Sequence, residues 1–322
     1  MDLESGRILY ENNPHERRLI ASITKIMTAI LAIEEGNLDK KVTVGDEVLK
    51  MYGTNIYVEV GEKLTLKDLL YGLLLRSGND ASVVIASVVA GSEEHFVDMM
   101  NQKAQQLGMK DTIFANPHGL DEDTQNYSTA YDMALLSRYV YKNEIYRKIV
   151  ATDKYEVSTG DKTYLWYNRN KLLNNYEYCT GGKNGYTPSA GKTLVTTASK
   201  DKFNITVVTL DDSSEYETHK SLYEYFFEHY KRYEIVSKDN FDIDKEFINE
   251  DVYIKRSFVY PLADSEIDKI KTVISVDSKI KGNIVGKIKI YLGDDNIGNV
   301  NIYRKTKKKD FTFFEKIKSL FT

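Results

Sequence analysis

Between Ser22 and Glu35 the apolar residues Ile23, Ile26, Met27, Ile30, Leu31 and Ile33 wrap most of a helix circumference, with Ser22 near the N-cap and Gly36 just past the end. A helix apolar on nearly every side belongs inside a core. Thr65 opens a second helix with Leu66, Leu69, Leu70, Leu73 and Leu74 on one face, and Asp80 starts a third after the polar break Ser77-Gly78-Asn79. Further helices are predicted from Ser92 to Leu107, closed by Gly108, and from about Thr129 to Tyr141. After residue 150 the period changes. Thr193 to Ala198 and Phe203 to Leu210 are short β-branched runs joined by the polar Ser199-Lys200-Asp201-Lys202, the pattern of an antiparallel hairpin. An amphipathic helix follows over roughly Glu215 to Tyr230, Val236 to Asn240 is polar and unpatterned, and from Phe241 every element reads as strand. The last two strands flank Gly293-Asp294-Asp295-Asn296. The division predicted is a mixed catalytic-sized domain over 1–235, a small all-β domain over 241–303 and a distinct tail over 304–322.

With 322 residues, 42% of them hydrophobic and 29% charged, the chain can bury cores for one large and one small domain. A net charge of −4 and the absence of an arginine-rich stripe set nucleic acid aside as a partner. The single cysteine, Cys179, excludes an intramolecular disulfide but not an oxidising compartment. No stretch approaches the roughly 20 apolar residues of a membrane-spanning helix. Met1-Asp2-Leu3 runs straight into Glu4-Ser5-Gly6-Arg7 and Ile8-Leu9-Tyr10, which reads as a hairpin already under way, so a preceding segment carrying an export signal is expected. In the tail, Phe313, Phe314, Ile317, Leu320 and Phe321 fall on one helical face behind Arg304, Lys305, Lys307, Lys308 and Lys309, the pattern of an in-plane membrane anchor. The five histidines show no metal-ligand spacing with acidic partners, and no cofactor is implied.

Ser22-Ile23-Thr24-Lys25 is an S-x-x-K, and on a helix positions i and i+3 share a face, so the lysine amine reaches the serine hydroxyl. Three more matches, Ser189/Lys192, Ser199/Lys202 and Ser278/Lys281, lie in strand or turn contexts; only the first opens a buried helix, where free N–H groups favour developing negative charge. Ser77-Gly78-Asn79 offers a hydroxyl and an amide between apolar helices. Gly181-Gly182-Lys183-Asn184-Gly185-Tyr186-Thr187 offers a cation among glycines that let another backbone come close. Each of the three alone is an ordinary cap or turn; together, in this order, they carry a reaction class: S-x-x-K, S-x-N and a K-T-G-like strand mark β-lactamases and penicillin-binding proteins.

On these residues the sequence resembles the low-molecular-mass penicillin-binding proteins, serine-type D-Ala-D-Ala carboxypeptidases of the peptidase S11 type. The likeness extends to Ala21-Ser22-Ile23-Thr24-Lys25-Ile26-Met27-Thr28-Ala29, Asn116-Pro117-His118-Gly119-Leu120-Asp121, Ser128-Thr129-Ala130-Tyr131-Asp132-Met133-Ala134 and Asn168-Arg169-Asn170-Lys171-Leu172-Leu173, and covers about residues 1 to 235. The resemblance implies an α+β, penicillin-recognising fold: an antiparallel sheet flanked by helices, then a small β-sandwich-like domain and an anchor helix. It implies Ser22 as nucleophile, Lys25 as its base and Ser77 as proton relay. Asn79, Lys183, Asn184, Gly185 and Tyr186 would bind substrate, with the N–H groups of Ser22 and Tyr186 as oxyanion hole. The substrate implied is a peptidoglycan stem peptide ending in D-Ala-D-Ala, β-lactams are the implied inhibitors, and the outer face of the cell membrane is the implied location.

One departure is Asn184, where the family's third motif has threonine, and it points to altered affinity with acylation kept. Three other readings carry less. A triad through His118 is redundant beside the lysine, a serine β-lactamase of class A would need an E-x-x-L-N string that Asp111 to Asn126 lacks, and a non-catalytic wall-binding protein would not need Ser22, Lys25, Ser77, Asn79 and Lys183 intact.

Overall fold

The structure is a computed structural model describing residues 1–160, 162–244, 248, 251–276 and 282–305, and the chain divides into two compact units, one from Met1 to His229 and one beginning at Tyr230.

In the first unit, helices α1 (Lys25–Glu35), α2 (Leu66–Tyr71), α3 (Asn79–Ala90), α4 (Glu93–Leu107) and α5 (Ala130–Val140) surround one apolar cluster that includes Ile23, Ile26, Ile30, Leu70, Val84 and Phe96. Their ends are set chemically. The Thr65 hydroxyl accepts from the Asp68 amide at 3.1 Å while the Asp68 carboxylate accepts from the Thr65 amide at 2.8 Å, a reciprocal cap that starts α2 where the sequence places it. The Ser92 and Thr129 hydroxyls cap α4 and α5 by accepting from the His95 and Asp132 amides, and Gly108 closes α4 in the left-handed conformation.

Two expectations need correction. The helix predicted from Ser22 begins as a 3₁₀ turn, Ala21–Thr24, and becomes α-helical only at Lys25; Ser22 does not cap it. Ala21 enters with φ +47°, and a 3₁₀ turn eclipses residues i and i+3, which places Lys25 above Ser22 more directly than an α-helix does. The N-terminal hairpin reduces to a turn in which the Asp2 amide donates to Arg7 O at 2.9 Å. Asp2 bridges Ile205, and Ile8 to Tyr10 form no strand.

Three antiparallel strands, β1 (Cys179–Thr187), β2 (Gly191–Lys200) and β3 (Phe203–Leu210), form the main sheet with β2 in the centre. Its register pairs Lys183 with Val195 and Gly185 with Thr193. Helix α5 packs on β3, and the helix Glu215–His229 packs on β2 and β3, where Thr196 bonds His219 at 2.7 Å and Tyr223 at 2.8 Å. A separate hairpin pairs Lys154–Thr159 with Lys162–Tyr167.

The second unit is built of β-structure. Strands Val252–Ile254, Asp295–Arg304, Ile284–Leu292 and Ile270–Val276 lie in that order in one sheet, and Tyr230–Val236 pairs with Phe258–Ala263 in another. Alternation along Lys287–Ile290 buries Ile288 and Ile290 and exposes Lys287 and Lys289, as a half-buried strand requires, and Val285 is buried beyond a register shift at Ile284/Gly286. The expectation that every element here is a strand fails at Asp264–Lys269, a 3₁₀ turn opened by the Glu266 carboxylate on the Ala263 amide. Of the predicted anchor over 304–322, residues 306–322 lie outside the described residues.

Candidate active site

The stretch Lys25–Ile33 of helix α1 is buried and apolar apart from Thr28 and Lys25, and Lys25 is its one ionisable residue. Removing an ammonium from water costs several kcal/mol, more than the roughly 1.5–3 kcal/mol gained by burying any one isoleucine beside it, so packing alone does not account for a lysine here. The amine has three partners. It donates to Ser22 Oγ at 3.0 Å, Asn79 Oδ1 at 2.7 Å and the His118 carbonyl at 2.6 Å. Burial first, then the Lys183 charge, push its pKa well below the ordinary lysine value; Asp80 opposes this, and Arg169 adds to it. Ser22 itself is half-buried.

The S-x-N element leaves α2 through one π-turn, Gly72–Arg76, and reverses at Ser77, which is buried and held at φ +69°. A single π-turn followed by a left-handed serine is strained backbone of the kind that collects at functional sites. Asn79 then starts α3, its Nδ2 donating to Tyr52 O at 2.7 Å and its own amide to Thr54 O at 2.8 Å. Its Oδ1 is taken by Lys25, so one Nδ2 proton remains for a ligand.

On the opposite wall β1 carries Lys183. Lys183 is also buried, donates to the Asn184 carbonyl at 2.6 Å and has its pKa lowered to about 7, by burial and then by Arg169. Gly185 lies against Ser22: a Cβ there would stand 2.7 Å from Ser22 N and 2.6 Å from Thr193 Oγ1. Only glycine lets β1 come this close. Tyr186 projects outward with its side chain 65% exposed.

Residues 1–214 match the sequence model of the D-alanyl-D-alanine carboxypeptidase family, peptidase S11. The chain belongs to this D-alanyl-D-alanine carboxypeptidase family. Residues 229–309 match a second model, the C-terminal domain of penicillin-binding protein 5. Among similar proteins are D-alanyl-D-alanine carboxypeptidase DacF of Bacillus subtilis, 39% identical over 220 residues that make up 66% of this chain and 56% of that one, and DacD of Escherichia coli, 35% identical over 62% of this chain and 53% of that one. The chain thus spans about half the length of these curated relatives. The solved penicillin binding protein 5 of Haemophilus influenzae superposes with a TM-score of 0.79 at 26% identity, covering 94% of each chain.

The family string Asn116-Pro117-His118-Gly119 now has a physical account. Asn116 Oδ1 accepts from the Gly119 amide at 2.6 Å, Thr28 donates to Pro117 O at 2.6 Å, and a Cβ at Gly119 would overlap the Ala21 carbonyl. The turn therefore buttresses Ser22 and hands Lys25 a carbonyl. The His118 ring does neither: its Nδ1 accepts from the Leu120 amide at 3.0 Å, and burial, then the Lys25 charge, lower its pKa to about 3. Its geometry gives no support to a His118 triad. Among the described residues no group of three or more His, Cys, Asp or Glu could hold a metal ion.

The structure joins Ser22, Lys25 and Asn79 by hydrogen bonds through the Lys25 amine, sets Lys183 near Lys25 and Gly185 against Ser22, and leaves Asn184 and Tyr186 on the same strand with Ser77 beginning the Asn79 turn. Missed from the sequence were the strap Tyr52–Tyr57, Asp80 and Arg169. Asp80, in the first turn of α3, accepts from the Ile56 and Tyr57 amides at 2.9 and 2.7 Å, and burial raises its pKa. A carboxylate directly after S-G-N at the head of an apolar helix was the available signal for it. Arg169 stood in the family string without a role.

Proposed function

We propose that this protein is a serine D-alanyl-D-alanine carboxypeptidase that removes the terminal D-alanine from peptidoglycan stem pentapeptides through an acyl-enzyme on Ser22. The observation that carries the reading is the desolvated Lys25 amine 3.0 Å from Ser22 Oγ, with a second buried lysine, Lys183, close enough to lower its pKa.

When Lys25 is neutral, its short bonds to Asn79 and His118 keep its two protons, and its lone pair turns to Ser22 Oγ–H. Ser22 Oγ then attacks the carbonyl between the two D-alanines as its proton passes to Lys25. The oxyanion forms in front of the Ser22 and Tyr186 amides, each such donor contributing roughly 3 kcal/mol to the transition state. The proton moves by way of Ser77 to the nitrogen of the leaving D-alanine as the C–N bond breaks. Water then cleaves the ester and returns a proton to Ser22 Oγ, so one water is consumed for each D-alanine freed. Lys183 and the charge of Arg169 receive the substrate's terminal carboxylate, and Asn79 and the Asn184–Tyr186 edge of β1 align its amides.

Intact-protein mass spectrometry after penicillin treatment, with Ser22→Ala as control, tests this reading. A single adduct mapping to Ser22 and absent from the control is expected, together with release of free D-alanine from a pentapeptide. Rapid turnover of penicillin without D-alanine release would indicate a β-lactamase, and neither adduct nor release would indicate a wall-binding protein of the same fold.

The location proposed is the outer face of the cell membrane, supported by the basic and phenylalanine-rich sequence of residues 304–322. No helix among the described residues is long and apolar enough to cross a membrane. A peptide of residues 304–322 should bind vesicles containing anionic lipid and lose affinity as salt rises; failure to bind would remove the anchor.

A further inference from the structure

A second concavity of about 460 Å³ lies beside the catalytic elements, lined by Ile56, Tyr57, Arg76 and the run Thr163–Tyr167. The strand Lys162–Tyr167 pairs only with Lys154–Thr159 among the described residues, so its other edge presents alternate N–H and C=O groups without a strand partner. Leu165 and Tyr167 on that strand are 45% and 56% exposed, and Tyr57 is 65% exposed. Tyr57 is fixed there at φ +65°: its amide donates to Asp80 Oδ2 at 2.7 Å and its carbonyl accepts from the Tyr164 hydroxyl at 3.1 Å. Among the described residues Arg76 has no acidic partner, though it is half-buried in the same wall. An unpaired guanidinium within an apolar rim is complementary to a carboxylate.

One strap joins this groove to the nucleophile's surroundings. Tyr52 O holds the Asn79 side chain, Thr54 O holds the Asn79 amide, and Ile56 and Tyr57 hold Asp80 before Tyr57 reaches the groove. From Tyr52 to Tyr57 the chain spans at most about 17 Å, the reach of an extended pentapeptide. On the other wall Arg76 immediately precedes Ser77.

We infer that this groove is a distal subsite for the carboxylate-bearing peptide that lies upstream of the two D-alanines in the same wall substrate. The peptide arm lies extended along the free edge of Lys162–Tyr167, its carboxylate meets Arg76, and its aliphatic parts cover Tyr57, Leu165 and Tyr167. The inference rests on the carboxypeptidase reading and adds to it a preference for long stems over short ones.

D-Alanine release from a complete stem pentapeptide and from an N-acyl-D-Ala-D-Ala dipeptide separates the two ideas. In Arg76→Gln, KM for the pentapeptide should rise about tenfold, the loss of one charge-assisted contact, and in a Leu165→Ser/Tyr167→Ser double variant on the exposed hairpin face it should rise by about as much through lost apolar contact. Turnover of the dipeptide and penicillin acylation of Ser22 should stay at wild-type values. Equal losses on both substrates, or no change on the pentapeptide, would overturn the subsite. If the wild type releases D-alanine from neither substrate, the carboxypeptidase reading itself falls, and the subsite with it.

Discussion

Lys25→Met should slow penicillin acylation of Ser22 by about 10³-fold, the scale of losing a general base, which corresponds to about 4 kcal/mol of barrier. Methionine matches the lysine stem in length, so the core around Ile26 and Ile30 stays filled. Two terms oppose each other in stability. The variant no longer buries an amine, which favours folding, but it leaves Asn79 Oδ1 and the His118 carbonyl without their donor, at about 1–3 kcal/mol each. The thermal midpoint should therefore move far less than the rate. Stopped-flow acylation alongside thermal unfolding measures both, and a variant acylated within tenfold of wild type would remove Lys25 from the role of base.

The same electrostatics set the pH dependence of the unmodified protein. In the proposed mechanism Lys25 acts when neutral and Lys183 when protonated, so acylation should fall as pH drops through the depressed pKa of Lys25. Capture of the substrate carboxylate should weaken as pH rises through about 7. The alkaline limb of kcat/KM should bend near that value, because kcat/KM reports the free enzyme. A bound carboxylate restores charge to Lys183, so the alkaline limb of kcat should lie higher. An alkaline limb in kcat/KM that begins only near pH 10 would show that burial does not lower the Lys183 pKa in the free enzyme.

Much of this was legible in the sequence, where a few adjacent residues carry the chemistry. The S-x-x-K, S-x-N and K-N-G strings each lie on one turn or strand, so spacing alone aligns Lys25 with Ser22 and fixes which residues of β1 share a face. Helix limits were legible for the same local reason: Thr65, Ser92, Thr129 and Gly108 cap what they were expected to cap. What stayed hidden depends on partners distant along the chain. Ser22 does not cap its helix because the turn is packed from outside, by Gly119 on the Ala21 carbonyl and by the Asn126 amide donating to Thr24 Oγ1 at 3.0 Å. No pattern within Ser22–Glu35 encodes that. The depressed pKa of Lys183 likewise depends on Arg169 and on burial, neither of which the glycine-rich string around it announces.

Gly185→Ala should reduce acylation by about 10²-fold while the protein still folds, since a displacement near 1 Å at a reacting centre has about that effect. The added Cβ meets Thr193 Oγ1 at 2.6 Å, Ser22 N at 2.7 Å and Ile23 N at 3.1 Å. Thr193 cannot swing aside without cost, because its hydroxyl is buried and donates to Ile20 O at 3.0 Å. The two nitrogens belong to the backbone of the turn that holds Ser22, so either that turn or β1 must retreat. Either movement separates the Ser22 amide from the Tyr186 amide and widens the pair of donors proposed to receive the oxyanion. Overpacking of this kind costs about 1–3 kcal/mol of stability, which a 229-residue unit with this much buried apolar surface survives. Affinity for the substrate carboxylate should change less than the acylation rate, because the buried Lys183 amine is held by the Asn184 carbonyl rather than by the Ser22 turn. Thermal unfolding, penicillin acylation rates and KM measured on one preparation test this. A Gly185→Ala protein with wild-type acylation would show that β1 need not lie this close to Ser22 for the reaction.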